Sequence, residues 1–143
     1  MTDVNNEKNF FTFNGSEYRG EYGLTASQED YLEMIFRNCP KSGTVRLVVL
    51  AKKINVSESS ASRMVHKLSE TGLVTFEKYG TIYLTRRGRK IGEYLVYRHE
   101  VIEKLLCRIN SSESELRQTE LIEHFLDSRT VKNISEFLKD GKM

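Results

Sequence analysis

The sequence predicts a mainly α-helical chain carrying one small β-hairpin, on three observations. Amphipathic runs at helical spacing fill most of residues 24–140. A single pair of alternating segments flanks Lys78-Tyr79-Gly80-Thr81. The charge divides along the chain: residues 41–92 hold 11 Lys/Arg against 3 Asp/Glu, and the remainder 11 against 17. A net charge of +2 therefore conceals a basic block fit for a polyanion and an acidic remainder with another task.

Residues 1–23, with Phe10, Phe11, Phe13, Tyr18 and Tyr22 among Asn, Gly and Thr, keep no sustained period and are expected to form a mobile N-terminal arm. A first helix is expected to start near Ser27 as its cap, with Gln28, Glu29 and Asp30 in the first turn and Leu32, Ile35 and Phe36 as core face. Pro40 and Gly43 end it. From Thr44 to Thr71 two amphipathic helices meet at Asn55-Val56-Ser57, a helix-turn-helix pattern. Ser57 caps the second helix, Ala61, Met64, Val65 and Leu68 form its buried stripe, and Ser59, Ser60, Ser62, Arg63, His66 and Lys67 face outwards. Small hydroxyls and bases suit a DNA major groove: Arg63 fits a guanine edge or a phosphate, and Lys67 the backbone.

Leu73–Glu77 and Ile82–Thr85 then alternate as the two strands of a hairpin, whose tip presents Lys78 and Tyr79 to phosphates or a minor groove. Helix-turn-helix followed by hairpin makes a winged helix. Thr85 caps a long helix over about 85–109, basic in its first turns and carrying His99 and Glu103 later. Asn110-Ser111-Ser112 breaks it, a helix from about Ser114 bears Glu120, Glu123 and His124, and Val131, Ile134, Phe137 and Leu138 stripe a last one. The expected organisation is thus an arm (1–23), a winged-helix DNA-binding domain (24–92) and a helical metal-binding and dimerisation domain (93–143).

The metal expectation rests on spacing. Glu120-Leu-Ile-Glu123-His124 on a helix sets two carboxylates and an imidazole at i, i+3 and i+4. Asp30 and Glu33 repeat i, i+3 on the first helix, and His99 with Glu103 gives i, i+4 on the long one. Any one of these is ordinarily a solvated acidic face or a surface ion pair. Three helices each offering oxygen or imidazole ligands point to a metal site. Four carboxylates, two imidazoles and no thiolate make a hard donor set suited to Mn(II), with Fe(II) and Co(II) also accommodated and Zn(II) able to bind more tightly.

The remaining composition excludes several classes. With 143 residues and 38% hydrophobic content the chain holds a modest core, too small for a large enzyme. Cys39 and Cys107 are far apart without metal-type spacing and read as reduced core thiols of a cytoplasmic protein. No apolar run approaches the ~20 residues of a membrane span, and no signal-peptide layout opens the chain.

Ser27-Gln-Glu-Asp-Tyr-Leu-Glu33, the winged helix, Val96-Tyr-Arg-His-Glu100 and Glu120-Leu-Ile-Glu-His124 together resemble the manganese transport regulators of the diphtheria-toxin-repressor family, over residues 24–140. The resemblance implies a homodimeric transcriptional regulator that senses Mn(II), two ions per subunit, through Asp30, Glu33, His99, Glu120, Glu123 and His124. It further implies binding to a palindromic double-stranded operator and repression of metal uptake when metal-loaded. The iron-responsive branch is less similar, with sulfur-bearing residues where this chain has Asp30 and Glu120. Apolar residues including Leu105, Leu106, Leu121, Phe125 and Phe137 are expected to serve a dimer interface. Without metal, repulsion among Asp30, Glu33, Glu120 and Glu123 would loosen the first helix from the C-terminal ones. Rival readings are an iron-responsive regulator of the same family, a metal-independent winged-helix regulator answering a small ligand, and a di-metal enzyme. The last lacks the Glu-x-x-His pairs that such centres use.

Overall fold

The computed structural model describes residues 13–15, 17–40 and 43–141. Helix α1 spans Ala26–Arg37, and its cap is Thr25 rather than Ser27: the Thr25 hydroxyl accepts from the Gln28 N–H, and the Gln28 side chain accepts from the Thr25 N–H, a reciprocal capping box. Either residue offers a hydroxyl, but only Thr25 has the extended backbone of a cap and a glutamine three residues on.

Strand β1 (Val45–Arg46) runs directly into α2 (Leu47–Ile54). Asn55 turns the chain in a left-handed conformation, φ 63°, which asparagine tolerates better than most residues. Ser57 caps α3 (Glu58–Glu70) by accepting from the Ser60 N–H, and Gly72 supplies the positive φ after the helix. Strands β2 (Val74–Glu77) and β3 (Thr81–Leu84) pair antiparallel around a short 3₁₀ turn over Lys78–Gly80. β1 adds to the free edge of β3, with Val45 opposite Ile82, so the expected two-stranded wing is rooted in a three-stranded sheet. A two-residue strand is too short for a period to reveal, and its alternation merges with the helix that follows.

Thr85 caps α4 (Arg86–Asn110), which ends at Ser111 in a left-handed conformation. Helix α5 (Leu116–Ile122) passes into a 3₁₀ turn over Glu123–Phe125, and α6 (Ser128–Lys139) begins at an Asp127 cap. The main core joins α1, α2, α3, the sheet and the first half of α4 through Leu32, Ile35, Leu50, Val65, Leu68, Ile82 and Leu95. Gly88 and Gly92 let α4 sit directly on this unit: a Cβ at Gly88 would collide with the Leu73 carbonyl, and one at Gly92 would stand 2.7 Å from Phe36 Cβ. Ile102 continues α4's buried stripe into the C-terminal half, where Val131 on α6 is also fully buried.

The expectation of a mobile arm falls, for residues 1–12 and 16, outside the described residues. Further on, the chain packs. Phe13 and Tyr18 meet the ring of Phe125 edge-on, with centroids 5.0 and 5.3 Å away. The Glu21 carboxylate accepts from the backbone N–H and the hydroxyl of Ser128 at the start of α6. Residues 18–25 therefore tie the entrance of α1 to the C-terminal helices. No helix among the described residues is long and apolar enough to cross a membrane.

Candidate metal centre and nucleic-acid interface

Glu123 lies at the centre of the acidic cluster. It is 1% exposed, carried inward by the 3₁₀ turn that follows α5. Two donor groups share it: Asp30, Glu123 and His124 on one side, Glu33, His99 and Glu123 on the other, each with one ligand atom per residue within 4.8 Å of the others. Asp30, Glu33, His99, Glu120 and Glu123 also line one cleft, together with Lys53 and Ile54 of α2. Glu120 differs in standing outside both tight groups; like Asp30 it is exposed. Because α5 ends at Ile122, Glu120, Glu123 and His124 do not share one continuous α-helical face, and the tighter turn rotates the last two towards the core.

Asp30, Glu33 and Glu123 are paired rather than left to repel. His99 Nδ1 lies 2.8 Å from Glu123 Oε2, His124 Nε2 lies 3.1 Å from Asp30 Oδ1, and Arg37 Nε donates to Glu33 Oε2 at 2.9 Å. The expected repulsion survives at one place. Burial, then the charge of Glu123, raises the Glu33 carboxyl above its ordinary range, with Arg37 opposing. The hydrogen bond to Glu123 raises His99 despite its burial. At His124 burial pulls downward, but hydrogen bonds to Asp30 and Glu29 and their charges outweigh it and push the imidazole up to about 9. The His124 ring is thus proton-loaded at neutral pH, and ligation through it would require a proton to leave. Four carboxylates and two imidazoles, without a thiol lining the cleft, fit a hard divalent cation.

Sequence reasoning placed Glu29 only as a helix-start charge, and it missed Arg98. Both are buried, and Arg98 NH2 donates to Glu29 Oε1 at 3.0 Å. A signal existed: Ile91, Leu95, Arg98 and Ile102 fall on one stripe of α4, and a cation on a buried stripe needs an anion facing it. Glu103, whose Oε1 is 4.0 Å from His99 Nε2, also stands behind the cluster and accepts from the Glu115 N–H.

In the winged helix, the cap Ser57 and Ser59, Arg63, His66 and Lys67 of α3 are exposed, and Ser60 and Ser62 are half-buried. Arg63 NH2 donates to Ser60 Oγ, and the His66 ring packs edge-on against Phe76 of β2 with centroids 4.9 Å apart. Lys78 and Tyr79 form the tip of the wing, Tyr79 being 89% exposed with φ 66°. Arg46 NH2 donates to the Tyr79 carbonyl from β1, a contact that places a further base beside the tip.

Residues 23–82 match the model for the iron dependent repressor, N-terminal DNA binding domain, and residues 85–143 that for the iron dependent repressor, metal binding and dimerisation domain. The HTH-type transcriptional regulator MntR of Geobacillus kaustophilus (strain HTA426) is 39% identical over 116 residues, covering 80% of this chain and 82% of that protein. Two solved structures share the fold. The manganese regulator SloR is 27% identical with a TM-score of 0.68, covering 78% of this chain and 53% of that one. A manganese-dependent transcriptional repressor in complex with manganese is 30% identical with a TM-score of 0.67, covering 78% and 52%. The chain spans about half the length of these two solved regulators. Its two matched halves account for most of its length, and the chain accordingly belongs to the iron dependent repressor family, the diphtheria-toxin-repressor group of metal-dependent, DNA-binding transcriptional regulators that act as homodimers.

Proposed function

We propose that this regulator senses Mn(II) in the cytoplasm, binds a palindromic operator when metal-loaded and represses metal-uptake genes. The observation that carries the reading is the sharing of Glu123 by two donor groups. Two ions per subunit would be held by Asp30, Glu33, His99, Glu120, Glu123 and His124, with Glu123 common to both. The oxygen-rich donors and the likeness to MntR and SloR support manganese over a sulfur-seeking metal. Bound metal would supply the positive charge that the proton on His124 otherwise provides.

The chain's own residues explain how this site reaches DNA. Asp30 and Glu33 sit on α1, whose opposite side packs into the winged-helix core, whereas Glu123 and His124 sit beyond α5. Drawing the two sets together fixes α1, and with it α3, relative to the C-terminal helices. In a homodimer that fixes the separation of two recognition helices, which must match major grooves roughly 34 Å apart. Ser57, Ser59, Ser60, Ser62, Arg63, His66 and Lys67 would then meet base edges and phosphates, and Lys78 and Tyr79 the neighbouring backbone or minor groove.

Fluorescence anisotropy of an operator fragment at fixed salt, first with chelator and then with Mn(II), Fe(II) or Zn(II), tests the reading. Manganese is expected to tighten binding about 10-fold or more, a coupling above ~1.4 kcal/mol. Glu123→Gln is expected to abolish that dependence while leaving the circular-dichroism spectrum unchanged. Equal affinity with and without metal would reject it in favour of a small-ligand regulator.

A further inference from the structure

Glu29 and Arg98 form an ion pair across 69 positions of sequence, 2% and 3% exposed. Stability alone is a poor reason for such a pair, because replacing a buried pair by apolar groups of similar volume is often neutral or stabilising. The pair does something an apolar pair cannot. Glu29 Oε1, the oxygen that receives Arg98 NH2, lies 2.7 Å from His124 Nδ1. Nδ1 and the Arg98 NH2 group are 3.5 Å apart, so the two nitrogens converge on one oxygen rather than on each other. The opposite ring nitrogen, Nε2, points to Asp30 Oδ1 at 3.1 Å, and His124 belongs to the group with Asp30 and Glu123.

We propose that Glu29, clamped by Arg98, is the positioning residue of the metal centre: it holds the proton of His124 on Nδ1 and so presents the Nε2 lone pair towards Asp30 and Glu123. The inference rests on the metal site proposed above. Carboxylates behind a ligating imidazole fix its tautomer and ring orientation, and losing one typically costs 10- to 100-fold in metal affinity. Two neighbours secure Glu29 itself. Arg98 NH1 lies 3.4 Å from the second carboxylate oxygen, and Gly20 of the packed N-terminal segment lies against that same oxygen, where an added Cβ would stand 3.2 Å away. His99 lacks an equivalent arrangement, its Nε2 being 4.0 Å from Glu103. The positioning device is therefore built around one of the two imidazoles.

The experiment uses the full chain with Cd(II) as a diamagnetic probe and Mn(II) as the second metal. In the Cd(II)-loaded parent, side-chain ¹⁵N shifts are expected to show His124 protonated at Nδ1, and protonation at Nε2 would overturn the proposal without any variant. The double variant Glu29→Leu/Arg98→Leu removes both charges together. It is expected to stay folded, lose the single His124 tautomer and bind both metals about 10- to 100-fold more weakly. Glu29→Gln keeps an oxygen acceptor for Nδ1–H and is expected to retain the tautomer and most of the affinity. A double variant with parental affinity and an unchanged tautomer overturns the positioning role alone; a parent that binds neither metal overturns the metal site beneath it.

Discussion

His124 and Tyr79 show how much a single residue decides here. The imidazole of His124 is raised from about 6.5 to about 9, so its contribution to stability is fully present below the ordinary value and is lost as pH rises through about 9. His99, also raised, acts in the same direction. With chelator present, the melting temperature is expected to fall between pH 7 and pH 9.5. Saturating Mn(II), which needs both rings deprotonated, is expected to remove that fall; a melting temperature flat across the range without metal would contradict the pairing of His124 with Asp30 and Glu29. Tyr79 holds a left-handed backbone that costs a non-glycine residue roughly 1–2 kcal/mol, yet it is 89% exposed and buries nothing in return. Tyr79→Gly is expected to leave thermal stability unchanged or slightly higher while weakening operator binding several-fold in anisotropy. Local chemistry of this kind was partly legible in the sequence. Ser57 and Thr85 cap because each precedes an amphipathic run, and the structure places both as helix caps. Glu29 was not legible as a buried acid, because a helix-start carboxylate normally complements the dipole in solvent; only its i, i+3, i+7 relation to Leu32 and Phe36 places it on the packed side.

Among the elements, α4 carries the clearest conflict with local preference. Its first turns hold Arg86, Arg87, Arg89 and Lys90 and its first turn no acid, so cations crowd the end where the helix dipole disfavours them. Arg87 offsets this by donating to the Thr71 carbonyl at 2.9 Å, and the remaining positive charge matches a helix that approaches a polyanion. The two glycines that follow make a sharper test. In a helix interior Gly→Ala ordinarily stabilises by about 0.5–1 kcal/mol. At Gly88 and Gly92 the added methyl meets Leu73 backbone and Phe36, so Gly88→Ala and Gly92→Ala are each expected to destabilise by about 1–3 kcal/mol in urea unfolding. The order of helices and the hairpin followed from periodicity and turn residues, whereas β1 and the 3₁₀ turn after Ile122 did not. Two strand residues carry no period, and the switch from α to 3₁₀ over Glu123–Phe125 depends on what Glu123 and His124 are buried against.

Across the whole molecule, the basic block of residues 41–92 builds α2, α3, the wing and the start of α4, whereas the acidic cluster lies between α1, α4 and the turn after α5. The C-terminal unit leaves Ile109 and Phe137 54% and 43% exposed beside Leu105 and Ile134, in an apolar groove between α4 and α6. An apolar groove in a family that dimerises is the natural contact between two copies. Phe137→Asp is expected to shift the chain to monomer in sedimentation velocity and to lower operator affinity with it, without loss of helical signal. The glycine seat of α4 has a mechanical consequence. Leu73 and Phe36 serve as a fulcrum near one end of a 25-residue rod, and a tilt of about 3° there displaces the far end by about 2 Å. In a dimer joined through the groove at the far ends of two such rods, leverage rather than refolding would be enough to take both winged helices out of step with the turns of a double helix.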